Sequence, residues 1–137
     1  AQGQPMRAIS GVTYQLLHTA EAAMVTSGTA TLETALIGCP ELVAYKSSLL
    51  SYEIGKRLVK VPFISLVNLI LNRKLVQEFI QNDCTPAKLA AETRLLLENA
   101  AYRSQIKAGY AELREKLGGA GASKRAAEKI FTLLSAK

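Results

Sequence analysis

Residues 24–40, Met-Val-Thr-Ser-Gly-Thr-Ala-Thr-Leu-Glu-Thr-Ala-Leu-Ile-Gly-Cys-Pro, constrain the fold more than any other stretch. They read as a short buried strand, a Ser-Gly-Thr turn and a helix stopped by glycine and proline. Residues 23–26 are small or apolar, as a parallel strand covered on both faces requires. Gly28 permits a sharp turn and close backbone approach. Ser27 or Thr29 is expected to cap the helix by accepting from a first-turn amide. Gly38, with Pro40 beyond it, ends the helix. A second apolar run, residues 42–45, is expected to form the next strand. Strand, crossover helix and strand imply a parallel pair and an α/β class.

The same turn carries a chemical possibility. A helix N-terminus presents free N–H groups and a positive dipole end, which suits phosphate. Glu33, one turn into the helix, is the only ionised side chain of the segment. A carboxylate repels phosphate and accepts well from sugar hydroxyls. Most strand–turn–helix units bind nothing, so Ser-Gly-Thr alone assigns no ligand.

The rest of the chain reads in order. Residues 6–9 suggest a strand remnant, and residues 12–22 a helix carrying Val12, Leu16, Leu17 and Ala20. A helix is expected over 49–59, with Lys56, Arg57 and Lys60 as a cationic cluster at its end. Residues 63–65 are expected to add a third strand. Asn68 lies within the run Leu66, Val67, Leu69, Ile70 and Leu71, so its amide is either buried against a partner or turned to a ligand. Asn72-Arg73 reads as a turn. A helix is expected over 74–81, placing Glu78 and Gln81 on one face. Thr85-Pro86 is a strong helix start, and that helix is expected to run to about residue 99. Residues 101–117 repeat Tyr102, Ile106, Tyr110, Leu113 and Leu117, a stripe that needs a packing partner. The glycines of 118–121 form a hinge, after which Ser123 is expected to cap a last helix bearing Ala127, Ile130, Phe131 and Leu134. The expected division is a partial Rossmann-like unit over 1–99 and C-terminal helices over 100–137.

At 137 residues there is room for one domain with a real core. Cys39 and Cys84 belong to no metal-binding or CxxC cluster and are expected to be reduced thiols. His18, the only histidine, is expected on a helix surface. No metal, cofactor or histidine-based catalysis is expected. No apolar run approaches a membrane span and no leader pattern opens the chain, so a cytoplasmic location is expected. Residues 1–102 carry nine Lys/Arg against eight Asp/Glu, a net of +1, whereas residues 103–137 carry eight against three, a net of +5. The basic character therefore belongs to the C-terminal helices. These cations lack interleaved aromatics, so nucleic acid is not an expected partner.

Ser27-Gly28-Thr29-Ala30-Thr31-Leu32-Glu33, then Tyr45, Lys56-Arg57-Leu58-Val59-Lys60-Val61-Pro62 and Ser65-Leu66-Val67-Asn68-Leu69 resemble lipid-A-disaccharide synthases. The resemblance continues through Arg73, Glu78-Phe79-Ile80-Gln81 and Thr85-Pro86 to Leu89, in family order and spacing. Two departures stand out. Val67 replaces a proline frequent in the family, and Ile70-Leu71-Asn72 replaces the usual Leu-Ala-Gly.

The resemblance implies part of the C-terminal, nucleotide-binding domain of a GT-B glycosyltransferase, without that domain's first strands and with the base on the other domain. It implies a UDP-diacylglucosamine donor, a diacylglucosamine 1-phosphate acceptor and an inverting displacement that releases UDP. Ser27, Gly28 and Thr29 would hold the diphosphate and Glu33 the ribose. Asn68, Arg73, Glu78 and Gln81 match polar positions near the cleft. A peripheral place on the inner membrane is the alternative to the cytoplasmic location. Self-association through the C-terminal helices is expected as well. The rival reading is a non-enzymatic, helix-rich module that docks on a partner or an anionic membrane through those basic helices.

Overall fold

The computed structural model describes residues 6–26, 28–46, 62–119 and 121–135. The expectations on Ser27 and on the helix over 49–59, with Lys56, Arg57 and Lys60, lie outside the described residues. Helix α1 spans Thr13–Thr19, β1 Ala23–Thr26, α2 Thr29–Ile37, β2 Glu41–Tyr45, α3 Leu66–Leu71 and β3 Glu78–Ile80. A 3-10 turn, Gln81–Asp83, then leads into α4 (Pro86–Glu98), α5 (Ala100–Leu117) and α6 (Ala122–Ser135).

The three strands form one parallel sheet in the order β1-β2-β3, so the expected α/β, partly Rossmann-like architecture is present. Met24 is level with Leu42, Thr26 with Ala44 and Phe79, and Tyr45 with Ile80. Side chains alternate between the faces of a strand, and both faces are covered. Met24 shares a recess with Pro86, Leu89 and Leu97 of α4. Glu41, one register position away, meets Tyr110 of α5 on the opposite face. Helices α2 and α3 pack with α5 on that second side. The core joins Leu42, Val43, Val67, Leu71, Val76 and Phe79 to Leu96, Ile106, Tyr110 and Leu113.

Several local signals act as the sequence indicates. Thr85 caps α4 through its side chain, with Pro86 in the first helical position. Gly38 ends α2 in the left-handed conformation at φ 97°. His18 lies exposed on α1. Cys39 is buried, Cys84 is half-buried, and neither is bridged.

Other expectations are corrected. Residues 6–9 form no strand. Residues 63–65 form a bend rather than a third strand, because Ser65 is committed as the N-cap of α3, its Oγ accepting from the Asn68 amide. The third strand is instead Glu78–Ile80, inside the stretch expected to be helical. Lys, Glu and Gln favour helix locally, but the free edge of β2 supplies a hydrogen-bond ladder and Phe79 buries its ring there. Context overrides propensity at this point. Ser123 does not cap the last helix, which already begins at Ala122.

Helix α5 buries Ile106, Tyr110 and Leu113 of its expected stripe, with Tyr102 half-buried and Leu117 exposed, whereas no side chain of α6 is buried.

Candidate functional site

In an open parallel α/β sheet, the ligand crevice lies beyond the carboxyl ends of the strands. Here those ends are Thr26, Tyr45 and Ile80. Helix α2 begins directly above β1. Its N-cap is Gly28, with φ 140° and ψ −163°, a conformation few L-residues adopt. Thr29 is already the first helical residue, so it does not cap the helix as expected. Gly28 has no side chain, so the cap position offers the first-turn amides no competing acceptor. A Cβ added at Gly28 would meet nothing within 4 Å. The glycine is needed for its backbone angle and leaves open space before the helix. Thr31 and Thr34 point inward, their hydroxyls donating to the Gly28 and Ala30 carbonyls at 2.8 Å.

Glu33 lies half-buried on α2 and borders a recess of about 350 Å³ with Gly11, Thr13, Tyr14 and Gln15. The Tyr14 phenol sits beside it. The negative charge of Glu33 raises the phenol's pKa, and hydrogen bonding between the two adds to the rise. Nothing in the sequence singled out Tyr14. It is brought to Glu33 by the packing of α1 against α2.

Asn68 and Glu78 meet each other. Asn68 is fully buried. Its Nδ2 donates to the Val76 carbonyl at 2.9 Å and to Glu78 Oε1 at 2.8 Å. Its Oδ1 accepts from the amides of Leu75 and Val76 at 2.8 and 3.0 Å. Of the two fates open to this amide, burial against internal partners is the one realised. Glu78 accepts from the Ile64 and Ser65 amides, both at 3.0 Å, and from the Ser65 hydroxyl at 2.7 Å. Ser65 is the residue that sequence reading missed here. The signal was available, since Ser65-x-x-Asn68 has the spacing of an N-capping motif.

Gln81 does not share a helix face with Glu78. It follows the last residue of β3 and is buried, with φ 50°. Positive φ is uncommon for a residue with a side chain. The strand therefore ends in an abrupt change of direction at the carboxyl edge. Arg73 is not brought to this edge. It lies in the turn that precedes β3, where its guanidinium pairs with Glu112 of α5 at 2.6 Å.

The structure thus assembles Gly28, Thr29 and the Glu33 recess at β1, and Gln81 at the end of β3. Asn68 and Glu78 lie beneath the second of these. Thr26, Ala44 and Phe79 are level across the sheet, and α2 begins at Thr29, just past the end of β1. The α2 N-terminus and the end of β3 are therefore two strand spacings apart, roughly 10 Å. That span suits an extended ligand with an anionic group at one end. Among the described residues, no group of three or more His, Cys, Asp or Glu is arranged to hold a metal.

Comparison with known proteins adds independent information. A family model described as lipid-A-disaccharide synthetase matches residues 4–131. The chain is 45% identical over 129 residues to a lipid-A-disaccharide synthase of Syntrophus aciditrophicus, covering 94% of this chain and 34% of that protein. It is 37% identical over 131 residues to the enzyme of Syntrophotalea carbinolica, covering 96% and 33% respectively. Over 107 residues it is 47% identical to the enzyme of Acidobacterium capsulatum, covering 78% and 27%. The chain spans about a third of the length of these relatives.

Proposed function

The chain belongs to the lipid-A-disaccharide synthetase family, and on that premise we propose that it is the donor-binding part of a glycosyltransferase. The donor is UDP-diacylglucosamine, the acceptor diacylglucosamine 1-phosphate, and the products are the lipid A disaccharide phosphate and UDP. The observation that carries the reading is the Gly28 turn. It opens the N-terminus of α2 at the carboxyl edge of a parallel sheet, one helical turn from the Glu33 recess. Ser27, Gly28 and Thr29 hold the diphosphate through backbone and hydroxyl donors. Oriented amides of this kind stabilise the negative charge that develops on the departing UDP. Glu33 accepts from the ribose hydroxyls. Gln81, at the far end of the crevice, is the candidate contact to the sugar. The base and the acceptor site are assigned to the part of the relatives' length that this chain does not span. The 137-residue chain is therefore expected to bind UDP without catalysing transfer.

The bare, basic α6 supplies the interaction surface in this reading. Its occupant is a second copy of the chain, and an anionic membrane surface on the cytoplasmic side is the alternative.

Titration of the chain with UDP tests the proposal. UDP should perturb the amides of residues 28–33. Glu33→Gln should weaken binding by roughly 1.5–3 kcal/mol, the worth of a hydrogen bond to a charged group. Unchanged affinity in a folded Glu33→Gln variant removes the ribose assignment. A chain blind to UDP that binds anionic vesicles through α6 favours the non-enzymatic module instead.

A further inference from the structure

The four bonds of the Asn68 amide exhaust its capacity, since two N–H groups donate and both lone pairs of Oδ1 accept. Glu78 Oε1 takes three donors, from the Ser65 amide, the Ser65 hydroxyl and Asn68, while Oε2 takes the Ile64 amide. Ser65 Oγ, while donating to Glu78, also accepts from the Asn68 amide at 3.3 Å. Four segments are thereby tied together: the bend over 62–65, the first turn of α3, the approach to β3, and β3 itself. Two consecutive backbone amides converging on one carboxylate form a small anion nest. The two carboxylate oxygens accept from the two amides separately, Oε2 from Ile64 and Oε1 from Ser65. The bend so held is not remote from the crevice. Pro62 and Phe63 line a recess of about 210 Å³ with Lys74, Glu78 and Ile80, the last residue of β3.

We infer that Glu78 and Asn68 are positioning residues. Through Ser65 they hold residues 62–64 as a wall of the donor crevice, their own polar groups being committed to that network. The inference rests on the donor-site reading above. Apolar side chains would fasten α3 to β3 at least as well, because buried polar groups bring little net stability. What the network adds is a single position for the bend, since each bond has one geometry and a half-made network is costly. A bend released from Glu78 leaves two amides to find water, and the wall loses its place beside Ile80.

The test compares three forms of the 137-residue chain by UDP titration, amide exchange and thermal unfolding. Glu78→Gln replaces one acceptor oxygen with an NH₂ that faces backbone donors. Tyr102→Phe removes a hydroxyl bonded to Glu92 at 2.5 Å, at the junction of α4 and α5, and serves as a stability control away from the bend. In Glu78→Gln, the Ile64 and Ser65 amides should exchange at least about tenfold faster and the UDP Kd should rise about tenfold. The control should lose stability with Kd unchanged, which separates positioning from a general loss of stability. If Glu78→Gln does not fold, Ser65→Ala, which removes only the hydroxyl arm, serves for the same comparison. Wild-type Kd in a variant whose amides have moved, or amides that stay put, overturns the inference. A wild-type chain that binds no UDP overturns the donor reading and this inference with it, and that result appears before any substitution is made.

Discussion

Burial takes Glu41 far from ordinary solution chemistry. It is fully buried at the start of β2, and among the described residues neither its carboxyl oxygens nor the Tyr110 hydroxyl has a hydrogen bond of ordinary geometry. Desolvation pushes its pKa from 4.5 up to about 9, a rise that Tyr110 partly opposes. The other groups facing this cluster are Cys39, raised by burial and by Glu41, and Lys107, which acts on Cys39 in the opposite sense. Glu41 is thus a neutral acid in the folded state at pH 7. Between about pH 4.5 and 9 the folded chain keeps a proton that the unfolded chain gives up. The stability this contributes is complete below pH 4.5 and falls through the window by up to about 1.4 kcal/mol per pH unit. Glu41→Gln should flatten that slope and be the more stable form at pH 8. Urea unfolding from pH 5 to 9 reads this directly, and parallel slopes would mean that Glu41 is charged in the fold. The two departures from the family pattern also make sense residue by residue. Val67 occupies the first turn of α3, where proline and valine are both compatible because that N–H has no intrahelical partner. Asn72 ends α3 at φ 51°, the left-handed position that glycine fills most easily and asparagine next.

At the scale of elements, α5 carries more of the fold than its place near the chain's end suggests. It buries Ile106, Tyr110 and Leu113 against the sheet and its helices. Gly109 lets it lie directly on Leu75, where a Cβ would come within 2.4 Å of the leucine methyls. Its arginines finish other helices. Arg114 donates to the Leu36 carbonyl at the end of α2 at 2.8 Å, and Arg103 donates to the Leu96 and Leu97 carbonyls at the end of α4. Arg73 and Glu112 add a salt bridge from the turn before β3. Three buried side chains at ~1.5–3 kcal/mol each amount to most of a small domain's stability. A chain ending at Asn99 should therefore lose cooperative unfolding, while one ending at Gly119 should keep it. Thermal melts of the two truncations distinguish these cases. A cooperative melt from the shorter chain would show that α5 is dispensable.

At the scale of the whole molecule, α6 stands out among the described residues because it buries no side chain and leaves Ile130, Phe131, Leu133 and Leu134 58–72% exposed. Burial of four such side chains at ~1.5–3 kcal/mol each offsets an association cost of about 4–15 kcal/mol only if packing is good. Self-association is therefore expected at micromolar concentration and above. The net charge of +5 over residues 103–137 opposes it, so added salt should strengthen the dimer by screening. Sedimentation of the intact chain beside one ending at Gly119 is the measurement. A monomer at every concentration removes self-association. A monomer that binds anionic vesicles, and loses them in high salt, assigns α6 to the membrane surface.

Local signals determined much of this protein. The Gly28 turn, the Gly38 stop and the Thr85-Pro86 start each act within one helical turn, so their physics is contained in adjacent residues. The sequence β1–α2–β2 followed from them, and the resemblance carried by Ser27 to Leu89 pointed to the family. Tertiary structure alone decided the rest. Glu78 sits in a strand because β2 had an unpaired edge, a fact about a partner 35 residues earlier. Asn68 turned inward because Val76 and Glu78 came within reach of its amide. Arg73 met Glu112, and α5 found cover where α6 did not. In each case the deciding partner is distant in the chain. A hydrogen bond or an apolar contact is worth little until folding brings its second half into place.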